Sequence, residues 1–252
     1  FSCCLCNMVK VSQAKSSLEA EHVFSAFQSL PSKEQVGEFY NSFSSEGYQA
    51  WKEAINCEHP RKCVQTILDH VPLAKDAAIL DVGCGTGIVG QLLSDAGFNN
   101  IVGADASDVF IAYTSAKGIY KEARVMLFGQ GVDMYPEDLK GRFDLVTASC
   151  VWCPSHIPCV AFEDIHASLK PGGYFVTPVC ECYWQDGEPE GYKDKMDDMV
   201  QEGKFRLIAA EPFQQDGAEK NSEVIYERKK AICFVWQDVS NHKPAARNDL
   251  HD

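Results

Sequence analysis

A glycine-rich stretch, ILDVGCGTGIVG at residues 79–90, is the part of the sequence whose residue types and spacing point most directly to chemistry. Glycines after a strand let the backbone turn sharply and let a ligand approach the peptide groups, and the following helix points its first N–H groups at that ligand. Two registers fit the stretch. Residues 85–90, GTGIVG, match the G-x-G-x-x-G fingerprint of dinucleotide-binding folds, whereas residues 81–87, DVGCGTG, place a glycine at every second position after an acid.

The position of the preceding strand favours the second register. In the dinucleotide fingerprint the first glycine directly follows a strand, so Gly85 would end a strand that already contains Asp81 and Gly83. If the strand instead ends at Asp81 and Val82, Gly83 begins the loop and Gly87 begins the helix. We therefore expect a ligand-binding loop that starts at Gly83.

The elements that must position this loop alternate between strands and helices. Short apolar runs predict five strands, at residues 77–82, 100–105, 123–128, 143–150 and 174–180, with helical patterns between them. Two later runs, 205–213 and 230–237, predict a closing antiparallel pair. The predicted fold class is α/β: a Rossmann-like, doubly wound, seven-stranded sheet that is mostly parallel, with an antiparallel C-terminal strand.

Ahead of the first strand the pattern is helical. Residues 1–32 are interpreted as an N-terminal arm with a helix near residues 18–29, residues 33–237 as one domain, and residues 238–252 as a C-terminal tail. Within residues 33–75 two apolar stripes predict two helices, one through Val36, Phe39, Tyr40 and Phe43 and one through Cys63, Ile67 and Val71.

Charge and cysteine content narrow the classes of function. The 252 residues include 36 acidic and 23 basic side chains, and the net charge of -13 argues against nucleic acid and membrane surfaces as partners. There is no run of 18 apolar residues, so no transmembrane helix is expected. The spacing of the 12 cysteines matches neither a zinc finger nor a disulfide scaffold. We expect reduced thiols, no metal and a cytoplasmic location.

The second register also resembles a known motif. DVGCGTG with the preceding Ile79 and Leu80 resembles motif I, hhDhGxGxG, of the class I S-adenosylmethionine-dependent methyltransferases, while FDLVTASCVW (143–152) resembles motif IV and PGGYFVTPV (171–179) the turn into the fifth strand. The resemblance implies S-adenosylmethionine as cofactor and methyl transfer as activity. It also implies that residues 33–75 form a helical lid over cofactor and acceptor.

The same resemblance assigns cofactor contacts. The glycine loop would wrap the methionine part, Asp81 would lie beside its amino group, and Asp105 would accept hydrogen bonds from the ribose hydroxyls. Gly129 and Gln130 would lie by the adenine. The expected cofactor-binding residues are Asp81, Gly83, Cys84, Gly85, Thr86, Gly87, Asp105, Ala106, Gly129, Gln130, Ser149 and Tyr48.

Candidate catalytic residues follow the fourth strand, because ligands of doubly wound sheets bind at the carboxyl ends of strands. Ser149, Cys150, Val151, Trp152 and His156 are expected to face the methyl group. Trp152 either walls the acceptor pocket or packs in the core. His156 is either a general base or a surface residue at a helix start. Tyr40, in the lid, either covers the site or belongs to a core stripe.

Three functions stay open at this point. The first is a methyltransferase that acts on a small-molecule or peptide nucleophile. The Asn-Pro-Pro-Tyr and Asp-Pro-Pro-Tyr patterns, with which enzymes of the resembled family methylate nitrogen atoms of nucleic acid and protein, are absent from the sequence. The second is a catalytically quiet methyltransferase fold that serves as a scaffold for a protein partner. The third is a thiol-dependent enzyme of the arsenite methyltransferase type, in which Cys150 and other cysteines hold the acceptor.

Overall fold

The computed structural model describes residues 40, 44–54, 56–154, 156–215, 218–220, 223–226 and 229–240. The predicted arm, the helix predicted near residues 18–29, most of the first predicted lid helix and the tail beyond Ser240 lie outside the described residues. Among the described residues between 44 and 78, α1 (Ser45–Ala54) and α2 (His59–His70) precede the first strand. Helix α2 confirms the second helix predicted within residues 33–75, while α1 begins after the first predicted stripe, which runs from Val36 to Phe43.

A seven-stranded sheet forms the centre of the described chain. Nine strands follow α2, namely β1 (Ile79–Val82), β2 (Ile101–Asp105), β3 (Glu122–Val125), β4 (Phe143–Ala148), β5 (Leu169–Cys180), β6 (Phe205–Gln215), β7 (Ala218–Lys220), β8 (Glu223–Tyr226) and β9 (Lys229–Asp238). The sheet has the order β3-β2-β1-β4-β5-β9-β6. Strands β1 to β5 pair in parallel, and β9 is antiparallel to both β5 and β6. The predicted fold class is confirmed.

Four helices connect these strands: α3 (Ile88–Asp95), α4 (Asp108–Lys117), α5 (Ala161–Ser168) and α6 (Tyr192–Gln201). Ser107 caps the start of α4, because its side-chain oxygen accepts a hydrogen bond from the N–H of Phe110 at 3.2 Å. Helix α6 was not predicted, because half of its ten residues are charged; it buries Tyr192, Met196 and Met199 along one face.

Two further differences from the sequence predictions concern strand ends. KPGG, residues 170–173, was interpreted as a turn before the fifth strand, but β5 already begins at Leu169. The pairing of β4 with β5 shifts register between Phe143 and Leu145, so that the segment forms a bulge within a longer strand. The polar segment after β6 contains a small separate hairpin of β7 and β8, which the sequence pattern did not indicate.

The sheet is covered on both faces, which is why its central strands are almost continuously apolar. One face packs against α5 and α6 through residues such as Phe162, Phe175 and Tyr192. The other packs against α2 and α3 through residues such as Ile67 and Leu93. All four residues of β1 are buried, including the carboxylate-bearing Asp81. None of the described helices combines the length and the apolar character needed to cross a membrane.

Candidate functional site

An open cavity lies at the carboxyl ends of β1, β2, β3 and β4, the edge at which doubly wound sheets bind ligands. It is lined by Tyr40, Tyr48, Gly83, Gly85, Asp105, Ala106, Ser107, Phe110, Met126, Leu127, Phe128, Gln130, Ser149, Cys150, Val151, His156 and Ile157. Its empty volume is about 900 Å³, which includes open solvent at the mouth.

The glycine loop forms the floor of this cavity. Gly83 has a φ of +64°, and a Cβ placed on it would lie 2.4 Å from Cγ1 of Val151. Gly85 has a φ of +52°, and its N–H donates a hydrogen bond to Oδ2 of Asp105 at 2.8 Å. Gly83 therefore has no room for a side chain, and both residues adopt a left-handed conformation that favours glycine.

Asp105 ends β2 and faces the cavity with its carboxylate held in place. Oδ1 accepts the N–H of Ser107 at 2.8 Å, and Oδ2 accepts the N–H of Gly85 at the same distance. Burial raises the pKa of Asp105, although these N–H groups oppose the shift by favouring the charged form. Because each carboxylate oxygen can accept more than one hydrogen bond, the group is still able to bind a pair of hydroxyls.

Asp81 lies behind the floor and not on the cavity surface. It is 1% exposed, and its Oδ2 accepts the hydroxyl proton of Tyr120 at 2.7 Å. Burial raises its pKa to about 7, with Tyr120 lowering it and the charge of Asp105 raising it further. The Tyr120 ring occupies space that side chains at Gly90 and Gly103 would fill, since a Cβ on Gly90 would lie 2.3 Å from the tyrosine oxygen.

The residues predicted to contact the cofactor fall into two groups. On the cavity surface are Tyr48, Gly83, Gly85, Asp105, Ala106, Gln130 and Ser149, while Asp81, Cys84, Thr86, Gly87 and Gly129 lie outside its lining. Thr86 is 1% exposed, and its Oγ1 is buried without a hydrogen-bond partner among the described residues. Within the glycine motif, Gly83 and Gly85 thus lie on the cavity surface, whereas Cys84, Thr86 and Gly87 do not.

Trp152 lies in the core and not at the cavity. Its ring is 4.6 Å from the ring of Phe162 and 5.4 Å from that of Tyr192, and Nε1 donates to Oγ1 of Thr177 at 2.6 Å. Only 4% of the residue is exposed. These contacts support the interpretation that Trp152 packs in the core and does not line an acceptor pocket. Val151 lines the cavity, whereas Trp152 does not.

Tyr40 and His156 meet across the mouth of the cavity although 116 positions separate them. The Nδ1 of His156 lies 2.9 Å from the carbonyl oxygen of Pro154, which only accepts, so Nδ1 carries the proton. Nε2 therefore accepts the hydroxyl proton of Tyr40 at 2.9 Å. Burial lowers the pKa of His156 to about 4, so this imidazole is neutral at pH 7. Helix α5 begins only at Ala161, so His156 is not at a helix start.

Aromatic rings support this pair from the lid side. The Tyr40 ring packs edge-on against Tyr48 and Phe110, with centroid distances of 5.8 and 5.9 Å. The rings of Tyr48 and Phe110 are 5.0 Å apart. Tyr40 and Tyr48 therefore form one aromatic surface in the cavity lining, and the Tyr48 ring lies 3.9 Å from where a Cβ on Gly85 would be.

Six cavity residues were not among the sequence predictions: Ser107, Phe110, Met126, Leu127, Phe128 and Ile157. The segment 126–128 was assigned to the third strand, but β3 ends at Val125. These three apolar residues consequently lie at the carboxyl end of the strand and form an apolar wall. A shorter strand of four or five residues, as for β1 and β2, would have placed them correctly.

Comparison with known proteins agrees with this geometry. Residues 55–201, more than half of the chain, match a protein family described as a methyltransferase domain. Human methyltransferase-like protein 27 is 28% identical over 195 residues, which cover 75% of this chain and 76% of that protein. A tRNA U34 carboxymethyltransferase of Pseudoalteromonas translucida is 32% identical over 111 residues, covering 44% of this chain and 34% of that protein.

Solved structures share the fold at low sequence identity. A putative methyltransferase in complex with the Trm112 activator of Haloferax volcanii has a TM-score of 0.58 at 15% identity, covering 79% of this chain and 97% of that one. The magnesium protoporphyrin IX methyltransferase of Synechocystis, solved with bound S-adenosylmethionine, has a TM-score of 0.54 at 14% identity, covering 83% and 98% of the two chains. The arrangement of strands and helices described above is therefore shared with enzymes that bind this molecule.

Proposed function

The chain belongs to the S-adenosylmethionine-dependent methyltransferases, and from that premise we propose that it transfers the methyl group to a small-molecule or peptide nucleophile bound in the cavity described above. The observation that carries the proposal is the meeting of two walls. Gly83, Gly85 and Asp105 form one wall, and Tyr40 and His156 form the other.

The first wall fits the cofactor. Gly83 and Gly85 leave the backbone accessible, and the fixed carboxylate of Asp105 suits two ribose hydroxyls. The apolar segment 126–128 offers a flat contact for the adenine, with Gln130 beside it as a hydrogen-bonding group. When bound, S-adenosylmethionine supplies a methyl group that is already activated by the positive charge of its sulfur. The aromatic surface of Tyr40 and Tyr48 lies across the cavity, where ring faces favour a cation.

The second wall orients the acceptor and is a weak base. His156 is neutral, its Nε2 already accepts the proton of Tyr40, and a pKa of about 4 gives little driving force for removing another proton. The pair therefore suits a nucleophile whose lone pair is available at neutral pH, such as a neutral amine or a thiolate. Most of the rate enhancement would then come from holding the reacting atoms in line within a partly dry site, an effect worth up to roughly 7 to 11 kcal/mol.

The charge of the chain favours this acceptor class over nucleic acid. A net charge of -13 opposes the approach of a phosphate backbone. The substrate of the tRNA U34 carboxymethyltransferase is not inferred for this chain, because the match spans 34% of that protein. A protein partner is part of the proposal, since a structural relative is in complex with an activator. The nine free cysteines of the described residues favour a reducing, cytoplasmic location.

The first test is calorimetric titration of the reduced protein with S-adenosylmethionine, S-adenosylhomocysteine and NAD. We expect micromolar affinity for the first two and no binding of NAD. Asp105→Asn is expected to weaken S-adenosylmethionine binding by ~10- to 100-fold, because it removes a charged acceptor worth about 1.5–3 kcal/mol. Asp108→Asn is the matched control, since Asp108 is an exposed acid three positions further along.

Two outcomes would change the proposal. Equal affinity of the two variants would show that the Asp105 carboxylate does not contact the cofactor. Absence of binding by both methyl ligands would favour the scaffold function, in which the fold is kept without the reaction. If the cofactor binds, formation of S-adenosylhomocysteine with amine, thiol and peptide acceptors then decides the acceptor class.

A further inference from the structure

Three thiols and one imidazole meet beside the cavity, and the methyl-transfer proposal leaves them unused. Sγ of Cys57 lies 3.4 Å from Sγ of Cys150, and the ligand atoms of Cys57, His59 and Cys150 all lie within 4.8 Å of one another. Sγ of Cys180 lies 3.5 Å from Nε2 of His59. The sequence spacings predicted no metal site, because these residues come from four separate places: the α1–α2 connection, the start of α2, the loop after β4 and the end of β5.

The hydrogen bonds of His59 direct the free electron pair of its ring toward the sulfurs. Nδ1 lies 2.9 Å from Oε1 of Gln215, and an amide oxygen only accepts, so Nδ1 carries the proton and Nε2 the lone pair. The orientation of the Gln215 amide is fixed independently. Its Oε1 also accepts the N–H of Glu58 at 2.8 Å, and its Nε2 donates to the carbonyl of Asn56 at 2.9 Å. An imidazole held in this way by an oxygen acceptor is the usual arrangement of a metal-binding histidine.

Two of the distances between ligand atoms are close to those around a single ion. For zinc bond lengths, a tetrahedral site has a sulfur–sulfur edge of about 3.8 Å and a sulfur–nitrogen edge of about 3.6 Å. The structure has 3.4 Å between Cys57 and Cys150 and 3.5 Å between Cys180 and His59. A disulfide would bring two sulfurs to about 2.0 Å, so Cys57 and Cys150 are two separate thiols.

The chemistry of the donor set selects the ion. Thiolates together with an imidazole favour Zn²⁺ over Mg²⁺ or Ca²⁺, which take oxygen ligands. The Lys52 ammonium lies 3.9 Å from Sγ of Cys57 and favours its thiolate form. His59 is buried and Cys57 and Cys150 are half-buried, so the group is shielded from bulk water and still reachable from the cavity side, which Cys150 lines.

We propose that Cys57, His59 and Cys150 form a zinc site, with Cys180 in reach as the fourth ligand. Binding releases the thiol protons to solvent and joins the lid to the sheet, because two ligands belong to the α1–α2 region and Cys150 follows β4. Cys150 has a φ of +62°, a conformation that non-glycine residues rarely adopt. The metal would hold this strained residue, and with it one wall of the cavity, in place. The site stands independently of the proposed acceptor.

The test uses the reduced chain of 252 residues after treatment with a chelator. Titration with Co²⁺ is expected to give one equivalent of binding, with thiolate-to-cobalt absorption in the near ultraviolet and the visible bands of tetrahedral cobalt, and Zn²⁺ should displace it. Cys57→Ser is expected to weaken Zn²⁺ binding by more than about 100-fold, because even loss of an outer-shell partner typically costs 10- to 100-fold. Cys182→Ser is the control, since Cys182 is exposed and outside the group.

A second measurement uses only the wild-type protein, so its outcome does not depend on whether a variant folds. Alkylation of the wild-type thiols, mapped by mass spectrometry, is expected to slow at Cys57 and Cys150 when Zn²⁺ is present and to stay unchanged at Cys182. The proposal is overturned if cobalt gives no thiolate absorption or if Zn²⁺ protects neither thiol. Protection by arsenite and not by Zn²⁺ also overturns it, in favour of an arsenite-binding site.

The cofactor titration separates this proposal from the proposed function. Cys57 lies outside the cavity lining, so metal-free Cys57→Ser is expected to bind S-adenosylmethionine as well as the metal-free wild type. Loss of metal binding with intact cofactor binding in this variant supports the zinc site. Cofactor binding without any metal binding by the wild type overturns the zinc site and leaves the methyltransferase proposal standing.

Discussion

The two walls of the cavity are built in different ways. The glycine wall, Gly83, Gly85 and Asp105, consists of backbone and one carboxylate from a stretch of 23 consecutive residues. The opposite wall brings Tyr40 from the lid to His156 after β4, across a separation of 116 positions. The first wall is a local sequence pattern, and we propose that it binds the cofactor. The second wall exists only once the chain has folded, and we propose that it orients the acceptor.

The sharpest way to break the glycine wall is Gly83→Ala. Its Cβ would lie 2.4 Å from Val151 at a φ of +64°, which combines a left-handed strain of about 1–2 kcal/mol with overpacking of about 1–3 kcal/mol. We expect the free energy of unfolding to fall by up to about 5 kcal/mol and S-adenosylmethionine binding to be lost. Urea unfolding and calorimetric titration measure the two effects.

Gly118→Ala provides the matched control for that change. Gly118 has a similar φ of +67°, but a Cβ there would meet nothing within 4 Å. It is therefore expected to show the strain alone, about 1–2 kcal/mol, with cofactor binding intact. Equal effects of the two substitutions on the free energy of unfolding and on cofactor binding would mean that neither the contact with Val151 nor a contact with the cofactor depends on Gly83.

A pH titration tests the layer behind the glycine wall. Burial raises the pKa of Asp81 to about 7 from an ordinary 3.8, so the folded state holds this proton more tightly than the unfolded chain. The associated stability is complete below about pH 4 and is lost as the pH rises through about 7. A shift of about 3 pKa units at 1.36 kcal/mol each amounts to ~4 kcal/mol.

Asp81→Asn isolates this contribution from those of other groups. The variant is expected to lose less free energy of unfolding than the wild type between pH 5 and pH 8 in ligand-free urea titrations. Identical pH dependence of the two proteins would refute the raised pKa of Asp81. A large stability loss at pH 5 in the variant would instead point to the hydrogen bond from Tyr120.

The smallest expected effect concerns the acceptor wall. Tyr40→Phe keeps the ring and removes the proton donated to Nε2 of His156, a neutral hydrogen bond worth about 1 kcal/mol. We expect S-adenosylhomocysteine formation to slow by ~5-fold with unchanged cofactor affinity. Tyr113→Phe is the control, because it removes a hydroxyl of α4 that lies 3.5 Å from the Gln49 side chain and outside the cavity lining. Weaker cofactor binding in Tyr40→Phe alone would place Tyr40 on the cofactor and not on the acceptor.

The contrast between the walls also explains what the sequence could predict. The succession of the seven sheet strands along the chain, the loop beginning at Gly83 and the acid at Asp105 follow from local patterns of period and spacing, and the structure places them as expected. The sequence did not predict helix α6, because charged residues separate its three buried apolar residues. Trp152 and His156 carried two interpretations each, since only tertiary contacts decide whether a side chain after β4 turns into the core or the cavity.

The zinc-site residues illustrate the same limit. Cys57 and Cys150 are 93 positions apart and gave no recognisable spacing. Their proximity depends on the docking of α2 on the sheet, which is driven by buried apolar residues such as Ile67 rather than by the cysteines. A cluster formed in this way leaves no signature in a linear motif.

The packing of Tyr120 has a consequence for how related sequences are expected to vary. Its ring leaves no room for a Cβ at Gly90 and little at Gly103, and Gly90 is the last glycine of the dinucleotide-like match at 85–90. That glycine therefore serves an internal aromatic ring and not a bound phosphate. Positions 90, 103 and 120 should covary across homologues: alanine at 90 or 103 should accompany a smaller residue at 120, and an intact tyrosine should accompany both glycines.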